Sequence, residues 1–219
     1  MKISRALDGF WLPFALMSIG AVAVVVLCAM MLTTMGIRLP DAHGNPLTLA
    51  RQTEHLLTFR GGTCSATAVG PHTLLSASHC FANDTLVSID GKPTRVLWIA
   101  QDGHDHTLVG QTIAFAHYVH HYATGVQGEP VFVLGNPAND RGVYRKGYVS
   151  GPSKEGGQPV TLYELPIFFG DSGAAIFDGE GRIVGVVAGL HVMTAEGLTL
   201  TFGVSRPLAF TASQWGLIR

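Results

Sequence analysis

Gly170-Asp171-Ser172-Gly173 sets one hydroxyl between two glycines, after the apolar residues 165–169 and before the apolar residues 174–177. A tight turn between two strands can display a serine there, and the flanking glycines let the backbone approach a substrate carbonyl. The N–H groups of Gly170 and Ser172 can then converge on one spot and hold a developing oxyanion, an effect worth roughly 3 kcal/mol per donor. The same four residues are ordinary loop composition, so acyl transfer and a plain turn both stay open at this point.

A second group follows the apolar residues 74–77, where small side chains lead into Ser78-His79-Cys80 and leave room for an imidazole. Cys28 falls in an apolar run near the N-terminus, which leaves Cys64 and Cys80 as the pair able to form a disulfide. Such a bridge would tie the loop of His79 to the preceding strand and contribute about 3 kcal/mol. The third group is the polar loop between the apolar residues 96–100 and 107–109, which carries two aspartates, Asp102 and Asp105. His104, His106, His117, His120 and His121 crowd the same region, yet no cysteine or carboxylate pattern completes a ligand set, so no metal is expected. No cofactor is expected either.

These groups need a scaffold. From residue 54 onward the chain alternates strand-length apolar runs with Gly, Pro, Asn and Asp, and Asp90-Gly91 and Asp178-Gly179 sit between such runs as hairpin turns. No long amphipathic helical pattern intervenes, although residues 207–215 can form a short terminal helix. The pattern reads as all-β, a barrel or a sandwich.

The N-terminal part differs in kind. Residues 10–35 carry no charged side chain, and a helix of that length crosses a ~30 Å hydrocarbon core. Lys2 and Arg5 precede the run, so the positive-inside rule puts residues 1–9 in the cytoplasm and the remainder on the periplasmic or extracellular side. A cleaved signal peptide would have a shorter apolar region. Residues 36–53 read as a linker and 54–219 as the folded domain. A formal net charge of −1 with charged residues at only 13% gives no electrostatic reason to expect nucleic acid as a partner.

In order along the chain, Leu74-Leu75-Ser76-Ala77-Ser78-His79-Cys80 resembles the histidine signature of trypsin-like serine proteases, and Gly170-Asp171-Ser172-Gly173 resembles their nucleophile motif. Their aspartate opens a strand in a pattern that selects Asp105, with Asp102 as the runner-up. Gly128-Glu129-Pro130-Val131-Phe132-Val133-Leu134-Gly135-Asn136-Pro137, then Lys146-Gly147-Tyr148-Val149-Ser150-Gly151, are similar to consecutive strands of the HtrA-like bacterial branch.

The resemblance implies two six-stranded antiparallel β-barrels, which would follow the transmembrane helix read from residues 10–35, and a catalytic triad of His79, Asp105 and Ser172. It further implies an oxyanion hole from Gly170 and Ser172 and a substrate pocket lined by Pro166, Val187, Ala188, Gly189 and Leu190, with protein or peptide as substrate. The acidic group that would select Lys or Arg is missing from Pro166, so small or aliphatic side chains are favoured. Relatives matured by cleavage pair the aspartate before the serine with a freed N-terminus. Nothing of that kind precedes Cys64, so Asp171 is expected to be solvated or bonded locally. Homo-oligomers occur in this branch and are left open. A rival from another class is a catalytically silent peptide-binding module, against which the presence of all three triad residues speaks.

Overall fold

The structure is a computed structural model that describes residues 45–218. The expected membrane segment at 10–35 and its flanks at 1–9 and 36–44 lie outside the described residues. Among the described residues no helix is long and apolar enough to cross a membrane.

A first helix, α1 (Pro46–Thr53), begins at Asn45, whose side chain caps the Leu47 N–H at 3.0 Å, with Pro46 in the first turn. This corrects the linker reading for residues 46–53. Ala50 and Thr53 are fully buried, and Ala50 belongs to the central hydrophobic cluster. The stretch looked aperiodic because the helix is only two turns long and buries one narrow stripe.

Seven strands follow, β1 (Glu54–Phe59), β2 (Thr63–Gly70), β3 (Thr73–Ala77), β4 (Leu86–Ile89), β5 (Lys92–Pro93), β6 (Val96–Gln101) and β7 (His106–Gln111). They pair antiparallel in the order β5-β4-β1-β2-β3-β7-β6. Seven more, β8 (Pro130–Gly135), β9 (Val143–Glu155), β10 (Gln158–Glu164), β11 (Ala175–Asp178), β12 (Ile183–Val186), β13 (Gly189–Ala195) and β14 (Leu198–Ser205), pair in the order β12-β11-β8-β9-β10-β14-β13. A short helix α2 (Ala212–Trp215), capped by Thr211, ends the described chain.

Each sheet therefore counts seven strands where six were expected. In both cases the two edge strands are consecutive in sequence, β5 and β6 being separated by Thr94-Arg95 and β12 and β13 by Val187-Ala188. A chain that leaves one edge and enters the other after so short a link forces the sheet to curl back on itself. Val187 N–H reaches Ala174 O at 2.9 Å and Ala188 N–H reaches Val204 O at 2.8 Å, so the second link bonds both sides of the seam. One barrel strand is broken in each sheet, which accounts for the extra count.

Turn chemistry follows the sequence in one place and departs in another. Asp90 and Gly91 both hold positive φ, 52° and 75°, as the tight β4–β5 hairpin requires. Gly179 does not, and the positive φ falls on Gly181 at 79°. Asp178 instead organises that turn with its carboxylate, accepting the N–H groups of Glu180 and Arg182, each at 2.9 Å.

Two clusters fill the barrels, one around Leu57, Leu74 and Val109 and one around Val133, Tyr163 and Ile176. A third joins them, with Val69, Leu75 and Leu108 from the first sheet against Phe132, Leu134 and Phe177 from the second. Phe132 and Phe177 stack at 5.4 Å. The helix α1 packs on this seam. Ala50→Asp, which places an unpaired charge there, is expected to cost at least about 3 kcal/mol in chemical denaturation, whereas Gln52→Asp on the exposed face should stay within about 0.5 kcal/mol of wild type.

Candidate active site

The strand β3 is buried along its whole length and delivers the chain into a 3-10 turn, Ser78–Phe81, that carries His79. Register with β7 puts Ala77 opposite His106, so the residue before β7, Asp105, lies beside the turn. Ser78 N–H donates to Asp105 O at 2.9 Å and Ser78 Oγ–H to His106 O at 2.7 Å, which locks the two loops together.

The Asp105 carboxylate then grips His79 twice. Oδ1 accepts the backbone N–H of His79 at 2.9 Å, and Oδ2 lies 2.8 Å from the ring Nδ1. The proton is thereby held on Nδ1 and Nε2 is left as the basic nitrogen of a side chain that is 45% exposed, against 17% for the carboxylate. Burial alone would raise the Asp105 carboxyl. The hydrogen bonds and charge of His79 outweigh that and keep it below the usual carboxylate range. Asp105 adopts φ of +70°, an unusual conformation for a residue with a side chain and a local strain of the kind that collects at functional sites.

Asp102, the alternative orienter, does not reach His79. Its side chain has no solvent exposure and pairs with His106 Nδ1 at 2.7 Å. It also accepts the N–H groups of His104, His106 and Ala209 at 2.7, 3.1 and 3.0 Å. Burial would push this carboxyl up, but the hydrogen bond from His106 and those from the backbone bring it down to about 2. Asp102 is the anchor that holds the Asp105 loop against the C-terminal segment, and His104 Nδ1 adds a contact to Pro207 O at 3.1 Å.

The nucleophile loop comes from the second sheet but is docked on the first. Ser65 N–H donates to Ser172 O at 2.8 Å, and Ser65 Oγ–H to Gly170 O at 2.8 Å. Ser65 is fully buried and also receives Asn136, whose backbone N–H and side-chain amide reach its Oγ at 3.0 and 2.9 Å. Gly173 holds φ of +88°, and a Cβ there would lie 2.3 Å from Ser65 O. Gly170, at +99°, would put one 2.3 Å from Asn136 O. Both glycines are therefore required by close approach as well as by φ.

The orientation of the two N–H groups expected to hold an oxyanion can be read from their peptide planes. Phe169 O accepts from Ala138 N–H at 2.8 Å and Asp171 O from Ala174 N–H at 2.9 Å. In a trans peptide the N–H points opposite to the C=O. The N–H groups of Gly170 and Ser172 are thus turned away from those partners, and among the described residues neither donates to a protein acceptor. No direct hydrogen bond joins Ser172 Oγ to His79 Nε2 in the described structure, a contact that is commonly long before substrate arrives.

The Cys64–Cys80 disulfide is formed, with Cα atoms 6.4 Å apart, and Cys80 Sγ sits 4.0 Å from Ser172 O. His79 and the two sulfurs lie within 4.8 Å of one another, but the bridge consumes the thiolates a metal would need.

One expectation is corrected. Asp171 is neither solvated nor bonded only locally, because the Arg145 guanidinium of β9 meets it with two bonds of 2.5 Å. Pro166 is exposed, with its carbonyl accepting from Arg145 Nη1 at 3.0 Å. The neighbouring Ile167 turns inward instead, where a Cβ on Gly203 would be 2.8 Å from its Cγ1. Val187 joins the same buried cluster as Ile167, while Ala188 and Gly189 are half-buried and Leu190 is exposed along β13.

A family model described as the trypsin-like peptidase domain matches residues 64–186, more than half of the chain. The chain belongs to the trypsin-like peptidase family. That membership makes it a serine endopeptidase, and the matched span includes the His79 turn, the Asp105 loop and the Ser172 loop. Among curated proteins none matches the peptidase by sequence. Solved structures share its fold. The Rv3671c protease from M. tuberculosis in its active form is 18% identical with a TM-score of 0.64, over 83% of this chain and 88% of that one. The inactive form of the same protease gives 18% and 0.61, over 83% and 98%. The serine endoprotease from Yersinia pestis gives 18% and 0.59, over 78% and 64%.

Because the folded Asp102 carboxyl lies below its unfolded value, its contribution to stability is complete above about pH 4 and is lost as pH falls through about 2. Asp102→Asn is expected to destabilise the peptidase by about 2 kcal/mol at neutral pH, with the gap to wild type closing in acid, as measured by urea denaturation across pH.

Proposed function

We propose that the peptidase hydrolyses peptide bonds at Ser172, with His79 as the proton carrier and Asp105 as its orienter. The observation that carries this reading is the double grip of the Asp105 carboxylate on His79, at a turn disulfide-linked to the strand on which the Ser172 loop docks. Ser172 Oγ attacks the substrate carbonyl carbon as His79 Nε2 takes its proton. The oxyanion is held by the N–H groups of Gly170 and Ser172, and His79 returns the proton to the leaving amine. Water, deprotonated by the same nitrogen, then cleaves the acyl-enzyme. Asp105 stays ionised throughout and stabilises the imidazolium.

Ile167 and Gly203 would form the wall that meets the substrate side chain, with Ala188, Gly189 and Leu190 offering backbone to an extended peptide. An apolar wall without a free acid favours small or aliphatic residues at the cleaved bond. Residues 10–35 would anchor the peptidase in a membrane as a single span, with the catalytic domain outside the cytoplasm. A disulfide between Cys64 and Cys80 fits such an oxidising compartment.

The test is hydrolysis of a quenched-fluorescent peptide library by the full chain in detergent. Wild type should cleave after small or aliphatic residues. Ser172→Ala and His79→Ala should each lower kcat by at least about 10⁴-fold, and the double variant should cost little more, because the two act as a unit. A wild type that binds peptides without cleaving them would favour the silent module instead.

A further inference from the structure

A chain of hydrogen bonds runs from the start of β1 to the loop of Ser172. The Glu54 carboxylate accepts a side-chain N–H of Asn136 through Oε1. The same Asn136 nitrogen donates to Ser65 Oγ at 2.9 Å, and the Asn136 backbone N–H donates there at 3.0 Å. Ser65 Oγ–H then donates to Gly170 O at 2.8 Å. Asn136 and Ser65 are fully buried, so each of these groups must find its partner within the protein.

The roles along this chain are forced from one end. A carboxylate only accepts, so it takes the Nδ2 side of the Asn136 amide and leaves Oδ1 to accept the Gly142 N–H at 3.3 Å. With two N–H groups pointed at it, Ser65 Oγ has both lone pairs filled. Its own proton goes to Gly170 O, which only accepts. An amide turned the other way would present Oδ1 to Ser65, draw that proton to itself and release the Gly170 carbonyl. Gly170 bears the held carbonyl on one side and, on the other, an N–H expected to meet the oxyanion. At φ of +99° and with no side chain to fix it, this residue depends on the grip on its carbonyl for where that N–H points.

We infer that Glu54 is a positioning residue, whose carboxylate sets the direction of this chain and thereby holds the Ser172 loop in its reactive form. The inference rests on the serine-peptidase reading above. Packing alone is a poor reason for an acid here. The residue is half-buried, and burial, the largest influence on its carboxyl, raises it above the usual carboxylate range. Three titratable or charged groups face it: Asp90 opposes its ionisation, while His55 and Arg141 favour it. The latter two are both bound to Asp90, His55 Nδ1 at 2.7 Å from Oδ2 and Arg141 on Oδ1. Because the folded carboxyl lies above its unfolded value, its contribution to stability is present in acid and is lost as pH rises through the raised value. The charge that directs the chain appears over the same interval.

The rate of phosphonylation of the full chain in detergent by a fluorophosphonate, followed from about pH 4 to about pH 9, tests this. Wild type should lose rate in acid more steeply than one proton allows, because His79 and Glu54 both titrate. Glu54→Gln should slow the maximal rate at neutral pH at least about 10-fold at unchanged probe affinity, a fraction of the loss from deleting an oxyanion donor, and should follow a single-proton limb. The variant is nearly isosteric and removes a charge that burial disfavours, so at about pH 8 it should melt at or above wild type. Asn136→Ala should be as slow, and combining the two changes should cost little more, because the residues act as one unit.

A Glu54→Gln chain with the wild-type rate and pH profile overturns the inference. So does one that is slower at every pH with the steep limb intact, the mark of a merely structural part. Wild type that fails to react with the probe removes the peptidase reading, and the inference with it.

Discussion

The hydrogen bonds from Ser65 to the carbonyls of Ser172 and Gly170 are the constraint on which the rest of the site depends. The proposed base and its orienter hang from one barrel, the proposed nucleophile from the other, and reaction geometry tolerates displacements of well under an ångström. Packing of Phe132 and Phe177 against Leu75 and Leu108 holds the barrels together but is not directional. Ser65 supplies direction. It sits on β2 beside Cys64, is fully buried, and is itself oriented by Asn136 and, through its carbonyl, by Ser76 Oγ–H at 2.8 Å. A polar group so placed is expensive to leave unsatisfied, which makes the docked arrangement far more favourable than any slipped one.

Around that junction the chain accepts local costs that a purely structural loop would avoid. Asp105 stands at positive φ, and both glycines of the nucleophile loop press on backbone atoms. Asp102, Arg145 and Asn136 are the supports that keep these conformations in place, each through several hydrogen bonds to loop backbone or to a buried partner. Asn136 also reaches Glu54, a carboxyl that burial raises and the Asn136 hydrogen bond lowers, with burial dominating. The reactive groups are few, and most of the surrounding polar residues serve to fix where they point.

Much of this was legible in the sequence. Strand-length runs bounded by Gly, Pro and Asp identify most of the strands, and the order of His79, Asp105 and Ser172 resembles one family closely. What escaped has physical reasons. The helix α1 is too short to show a period, and the barrel seam at Val187-Ala188 carries no turn residue to announce it. Ile167 follows Pro166 in a segment outside the strands, where no alternation marks which side chain turns inward. The supports were harder still, since Ser65 and Arg145 act through partners more than seventy and about twenty-five positions away respectively, and no local pattern announces such contacts. Asn136 did lie in a quoted motif, where its amide could have been read as a buried connector.

The central claim is that Gly170 and Ser172 present a formed oxyanion hole to a serine activated by His79. A crystal structure of the full chain with a peptide boronic acid tests it most directly. The account predicts boron bonded to Ser172 Oγ, with one boronate oxygen about 2.7–3.1 Å from the backbone nitrogens of both Gly170 and Ser172. Boronate bound elsewhere, or joined to Ser172 with that oxygen facing away from those two N–H groups, would contradict it.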